Sequence, residues 1–193
     1  MTESNATERR AVGVVYAELR NFTRLSEALQ PAKVLELADE FFALVARLIQ
    51  AQDGKVLAVH NDSMLAIFPA AADALVASQA VQRDFGPVGE RWQNEYGLPA
   101  AVALGVHLGD AVLGMAGPPG ARLYVALSDC VSIAERLVHR ARAGEIVFSQ
   151  DFIQAVGADA QELGAKRLPA LELARRPAIP IYGLLLETRL DFT

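Results

Sequence analysis

The chain carries one cysteine, Cys130, in 193 residues. A single thiol excludes an intrachain disulfide and fits a reducing compartment. Three histidines beside that one cysteine leave little material for a zinc site. No apolar run approaches the roughly 20 residues that a membrane-spanning helix requires. The opening, MTESNATERR, is polar and lacks the apolar stretch of a secretory signal. Lys and Arg form no block, and the net charge is −5, so a nucleic acid duplex, which is held by clustered cations, is not an expected partner. Sequences of the GxSxG, Walker A and GxGxxG types are missing as well, which removes the nucleophile elbow and two common phosphate loops. Together these absences describe a cytoplasmic protein without a membrane span.

What is present is a packed globular chain, 52% hydrophobic and 21% charged, long enough for one domain with a sizeable core. Residues 1–10 are expected to form a disordered lead, and 11–193 the domain. VGVVYAEL (Val12–Leu19) is a nearly continuous apolar run of strand length, as a central strand requires. RNFT is expected to be a turn. Pro31 then opens a helix whose apolar residues, Val34, Leu37, Ala38, Phe41, Leu44, Val45, Leu48 and Ile49, recur at three- and four-residue steps. Asp53-Gly54 ends it, and two strands around Asp62 follow as a hairpin. A second helix is expected from Ala71 to about Gln93, kinked or split at Gly86-Pro87. AAVALGVHLGDAVLGMAG is expected to hold two strands hinged near Gly109-Asp110. A loop and a short strand precede a third helix, Asp129 to about Arg142, capped by Ser128 or Asp129 and closed by Gly144. EIVFS, a short helical piece at 150–156, and two strands near Glu162–Leu168 and Ile179–Leu186 complete the chain. The order β-α-β-β-α-β is the ferredoxin-like unit with additional C-terminal strands. The fold class is therefore α/β, an α+β sandwich of helices on a mostly antiparallel sheet.

Two groups of residues invite a chemical reading. Glu18 ends the expected central strand, and Asp62 stands at the tip of the hairpin AVHNDSMLAIF. One reading is ordinary turn and strand-end chemistry, with solvated acids. The other is a pair of hard-cation ligands, since Mg²⁺ takes carboxylate oxygens and two such ions serve phosphoryl transfer. Ser132 and Arg136 lie four apart and so share a helix face. They read either as part of a solvated mixed-charge face or as contacts to a phosphate chain. His107, alternating with apolar neighbours, reads as a satisfied core or edge histidine.

Four segments, YAELRNFTRLSEAL, GKVLAVHNDSMLAIFPA, LGVHLGDAVLGMAG and SDCVSIAERLVHRARAGEIVFS, fall in an order and at separations that resemble the class III adenylate/guanylate cyclase catalytic domain. The motifs of that family read roughly F-A-D-L-R-G-F-T, K-x-x-G-D-x-x-L-A-x-F, G-I-H-x-G-x-x-x-G and G-D-x-V-N-x-A-x-R-L. The resemblance covers about residues 11–186. It implies that the family's two metal-binding aspartates fall on Glu18 and Asp62, with Mg²⁺ or Mn²⁺ as the cofactor. Its transition-state arginine falls on Arg136 and its ribose-orienting asparagine on Ser132. Its two base-reading positions fall on Ala58 and Val125, neither of which can hydrogen-bond a purine edge. The late phosphate-binding lysine has no clear match in LPALELARRPAIPIYG, where Arg175 or Arg176 is the nearest cation. The glycines before the second aspartate and in G-D-x-V-N are Asn61 and Ser128. The family builds its sites at the interface of a head-to-tail dimer, so a homodimer is implied. The expectation is a degenerate cyclase-homology domain, a signalling or interaction module with a nucleotide or protein partner. The rival expectation is a divergent but active cyclase acting on ATP or GTP.

Overall fold

The computed structural model describes residues 7–185. Its centre is β1 (Glu8–Arg20), which pairs antiparallel with β3 (Ser63–Phe68) on one side and β4 (Ala101–Ala116) on the other. Side chains of a strand alternate between faces. Val15, Ala17 and Leu19 accordingly enter the main core, and Val12 and Val14 a second cluster on the opposite face. A strand buried on both faces is why this segment reads as a continuous apolar run. The sheet has eight strands, in the order β2 (Lys55–His60), β3, β1, β4, β6 (Glu145–Ser149), β8 (Ile179–Leu185), β7 (Lys166–Leu171), with β5 (Leu123–Leu127) paired to the far half of β4. Among the described strands only β4 and β6 run parallel. The order β2-β3-β1-β4 is the expected ferredoxin-like arrangement, extended on the β6 side.

Helices α1 (Phe22–Ala28), α2 (Pro31–Gln50), α3 (Ala71–Tyr96) and α5 (Gln150–Val156) carry residues of the main core. In α2 that stripe is Leu37, Phe41, Val45 and Ile49. Helix α4 (Asp129–Arg140) contributes instead to the two clusters built on the other residues of the sheet. Ser128 caps it, its hydroxyl accepting from the Cys130 amide at 3.2 Å.

Four expectations need correction. The strand β1 starts at Glu8, so residues 8–10 belong to the sheet, while residues 1–6 lie outside the described range. RNFT is not a simple turn: Phe22 begins the short helix α1, anchored by buried Leu25. Helix α3 runs unbroken through Pro87. Pro87 and Arg83 are both exposed, so water can serve the carbonyl that proline leaves unpaired. Buried Phe85 and Trp92, in edge-to-face contact at 5.5 Å, hold the helix on either side. Finally, β4 is one strand of 16 residues with no hinge at Gly109-Asp110, and it pairs with β1 in unbroken register from Ala101 to Leu113.

The glycines of β4 serve close packing rather than bending. A Cβ at Gly105 would overlap the backbone of α4 at Ala134 O and Val138 N, and one at Gly109 would lie 2.6 Å from the Cys130 Cβ. Helix α4 therefore rests directly on the strand backbone. Gly105→Ala should lower stability by about 2–3 kcal/mol in urea denaturation, because the obstructing atoms are backbone and cannot step aside. At Gly86, in α3, nothing outside the helix stands within 4 Å of an added Cβ, but that Cβ would press on Cδ of the following Pro87, so Gly86→Ala should bring no gain in stability.

Candidate functional site

Glu18 and Asp62 are brought together by strand register. Glu18 sits opposite Ser63, and the Leu19 amide donates to the Asp62 carbonyl at 2.8 Å. The turn between β2 and β3 keeps the chain there by placing Asn61 at φ 50°, a left-handed conformation that asparagine tolerates better than most residues. Asn21, just after β1, does the same at φ 71° and donates from Nδ2 to the Pro99 carbonyl at 2.7 Å. Both asparagines stand where the motifs quoted above have glycine.

The Glu18 carboxylate already has partners. One oxygen accepts from the Arg20 guanidinium, and the other lies 3.6 Å from His139 Nε2 of α4. Arg20 also donates to carbonyls where α4 ends, Val138 O in its last turn and, at 2.9 Å, Ala141 O of the residue that follows it. A cation on helix C-terminal carbonyls is favourable in itself. The side chains of Glu18 and Arg20 are only 15% and 22% exposed, so the pair is shielded from water and worth more than a surface ion pair. Neither Arg20 nor His139 was singled out from the sequence. Arg20 was legible in principle, since residues two apart on a strand share a face. His139 depends on where α4 lands.

Glu18 and Asp62 offer two carboxylates, a set that holds Mg²⁺ when substrate phosphates supply further oxygens. Among the described residues no group of three or more His, Cys, Asp or Glu side chains is placed to hold a metal ion. The first of the two expected carboxylates is neutralised by arginine.

Ser132 and Arg136 project from the exposed face of α4. They line a small groove of about 170 Å³ together with Asp129, Ile133, Leu173 and Arg176. Arg176, one of the two late cations considered from the sequence, is thereby placed beside them. Arg175 does not line the groove. Arg176 Nη1 pairs with Asp129 Oδ2 at 2.8 Å. That guanidinium, with the Ser128 hydroxyl next, holds the Asp129 carboxyl below its ordinary pKa. The groove contains neither Glu18 nor Asp62, so one chain does not gather all the candidate residues into one cavity.

Ala58 is exposed on β2 opposite Leu65, next to an irregularity in the β2–β3 register. Val125, half-buried, pairs with Gly114 on β5. Nearby, Lys55 Nζ sits 3.5 Å over the Tyr124 ring and ties β2 to β5. His107 is a satisfied core histidine: it is buried, and its Nδ1 lies 2.7 Å from Ser149 Oγ. Burial pushes its pKa down.

The family model described as the adenylate and guanylate cyclase catalytic domain matches residues 4–170. The chain belongs to that family. Adenylate cyclase 1 of Rhizobium meliloti (strain 1021) is 32% identical over 140 residues, which is 68% of this chain and 21% of that protein. The chain thus spans about a fifth of that curated relative. The crystal structure of the adenylyl cyclase CyaB from P. aeruginosa superposes with a TM-score of 0.85 at 19% identity, covering 95% of this chain and 98% of that one. The guanylyl cyclase Cya2 gives a TM-score of 0.81 at 22% identity, covering 91% and 92%. At these identities the two structures establish the fold.

Within this cyclase domain, Arg20 competes with any cation for Glu18. The Arg20→Gln variant should therefore bind Mn²⁺ at least tenfold more tightly than the wild type, read from loss of the free Mn²⁺ electron paramagnetic resonance signal. The gain should vanish in the Arg20→Gln/Asp62→Ala double variant. Loss of packing alone would weaken binding instead.

Proposed function

We propose that this chain is a degenerate cyclase-homology domain. It acts as a dimeric signalling or interaction module that holds a nucleotide or a protein partner and makes little or no cyclic nucleotide. The observation that carries this reading is the chemistry at the two base-reading positions, where Ala58 and Val125 offer only methyl groups. A site that loses buried polar contacts to its substrate loses several powers of ten in discrimination. Ser132 adds to this. A hydroxyl has shorter reach than an amide and lacks its paired donor and acceptor.

A second reading, a divergent active cyclase converting ATP or GTP to the 3′,5′-cyclic nucleotide and pyrophosphate, is favoured by the retention of Asp62 and Arg136. One assay separates the two. Purified protein with Mg²⁺ or Mn²⁺ and either triphosphate should turn over at least a hundredfold below the roughly 10 s⁻¹ of an ordinary enzyme. A rate within tenfold of that value returns the active reading. Ala58→Lys, Val125→Asp and Ser132→Asn combined should raise the rate above the wild type.

Dimerisation is part of the proposal, and an apolar patch supports it. Leu127 and Val112 are register partners on β5 and β4, 63% and 39% exposed. Leu123, on the same face of β5 as Leu127, is 65% exposed. Large apolar side chains grouped on one region of a surface mark interaction sites. Sedimentation at micromolar concentration should give twice the monomer mass, and Leu123→Ser/Leu127→Ser should give the monomer. A wild-type monomer at high concentration removes both the dimer and any site built between two copies.

A further inference from the structure

A second cavity, larger than the groove on α4, opens between α5, the edge strand β7 and its neighbour β8. Its volume is about 610 Å³, within the roughly 300–1,000 Å³ of small-molecule sites. It shares no lining residue with the groove that holds Ser132 and Arg136.

The walls are built and fixed. Ser149 caps α5 by accepting from the Phe152 amide at 3.3 Å, and the Phe148 and Phe152 rings stack at 5.5 Å behind it. Below, Ile153 and Ala165 are buried and give an apolar floor. The turn from Gly157 to Ala165 is closed on itself, with the Ala165 amide donating to the Ala160 carbonyl at 2.8 Å. Its acid, Asp159, is engaged within the turn, where Oδ1 accepts from the Gln161 amide at 2.7 Å.

The polar groups left facing the cavity are mostly donors. Arg167 stands opposite Tyr182 in the β7–β8 register and so shares its face of the sheet. The Tyr182 hydroxyl donates to Gln150 Oε1 at 2.7 Å. That bond fixes the amide and leaves its NH₂ free to donate. Among the described residues Arg167 is in no ion pair, whereas Lys166, the preceding strand residue, directs its side chain to the other face of the sheet. A guanidinium fork recognises a carboxylate or a phosphate through two parallel hydrogen bonds. The amides of Gln150 and Gln154 suit hydroxyl or carbonyl groups on the rest of the molecule.

We propose that this cleft between α5 and β7 binds a small organic anion, with its phosphate or carboxylate on Arg167 and its polar body against Gln150 and Gln154. The site is separate from the cyclase-type residues and does not depend on how their chemistry is read. The test is isothermal titration calorimetry of the full chain with glucose 6-phosphate, succinate and, as the neutral control, glucose. At least one of the two anions should bind saturably and more weakly at high salt, while glucose gives no heat of binding. Binding of the sugar phosphate alone identifies a phosphate ester as the ligand type; binding of succinate alone identifies a carboxylate. Arg167→Met should weaken the binding tenfold or more, Arg167→Lys should keep most of it, and Gln154→Glu, which adds a repelling charge to the exposed wall, should also weaken it. Arg136→Ala should bind as the wild type does. The proposal is overturned if neither anion binds by about 10 mM, if Arg167→Met binds undiminished, or if Arg136→Ala abolishes binding and so moves the anion to the groove on α4.

Discussion

The contact on which the rest of this structure depends is the seating of α4 on the backbone of β4. Gly105 and Gly109 remove the side chains that would hold the helix away. Because the helix lies against strand backbone, its angle and height are set by hard-sphere contact rather than by adaptable side chains. Everything chemical on α4 follows from that seating. Ser132 and Arg136 are aimed outward, Asp129 reaches Arg176, and His139 reaches Glu18. The last turn of the helix is then tied to β1 by the Arg20 fork.

That fork gives the site its electrostatic character. A shielded carboxylate at the end of β1 requires a counter-charge, because removing an unpaired ion from water is expensive. Arg20 supplies it from two residues away, and the same guanidinium donates to the Val138 and Ala141 carbonyls where α4 ends. The groove on α4 is balanced in the same internal way, by Arg176 on Asp129.

Much of the fold was legible in the chain because its signals are local. The apolar run of β1, the stripe of α2, the hairpin around Asp62 and the Ser128 cap each depend on periodicity or turn chemistry within a few residues. The misreadings share one cause. Gly109-Asp110 and Gly86-Pro87 are breakers by local rule, yet each sits in an element whose tertiary contacts overrule it. The glycines of β4 admit α4, and Phe85 and Trp92 clamp α3 around its proline. The helix α1 was missed because a single buried residue, Leu25, anchors it, too few for a periodic signal.

The sequence by itself determined the family, the order of elements around β1, and the residue types at the candidate positions, Ala58, Val125 and Ser132 among them. Those are facts of residue type and spacing, which folding does not change. Only the tertiary structure decided which charges meet. It gave Glu18 to Arg20 and His139, chose Arg176 over Arg175 for the groove beside Arg136, and opened a cation-lined cleft between α5 and β7. Coulombic and hydrogen-bond energies fall away within a few ångströms, so these pairings depend on distances between segments far apart in the chain, and such distances exist only after the core has packed.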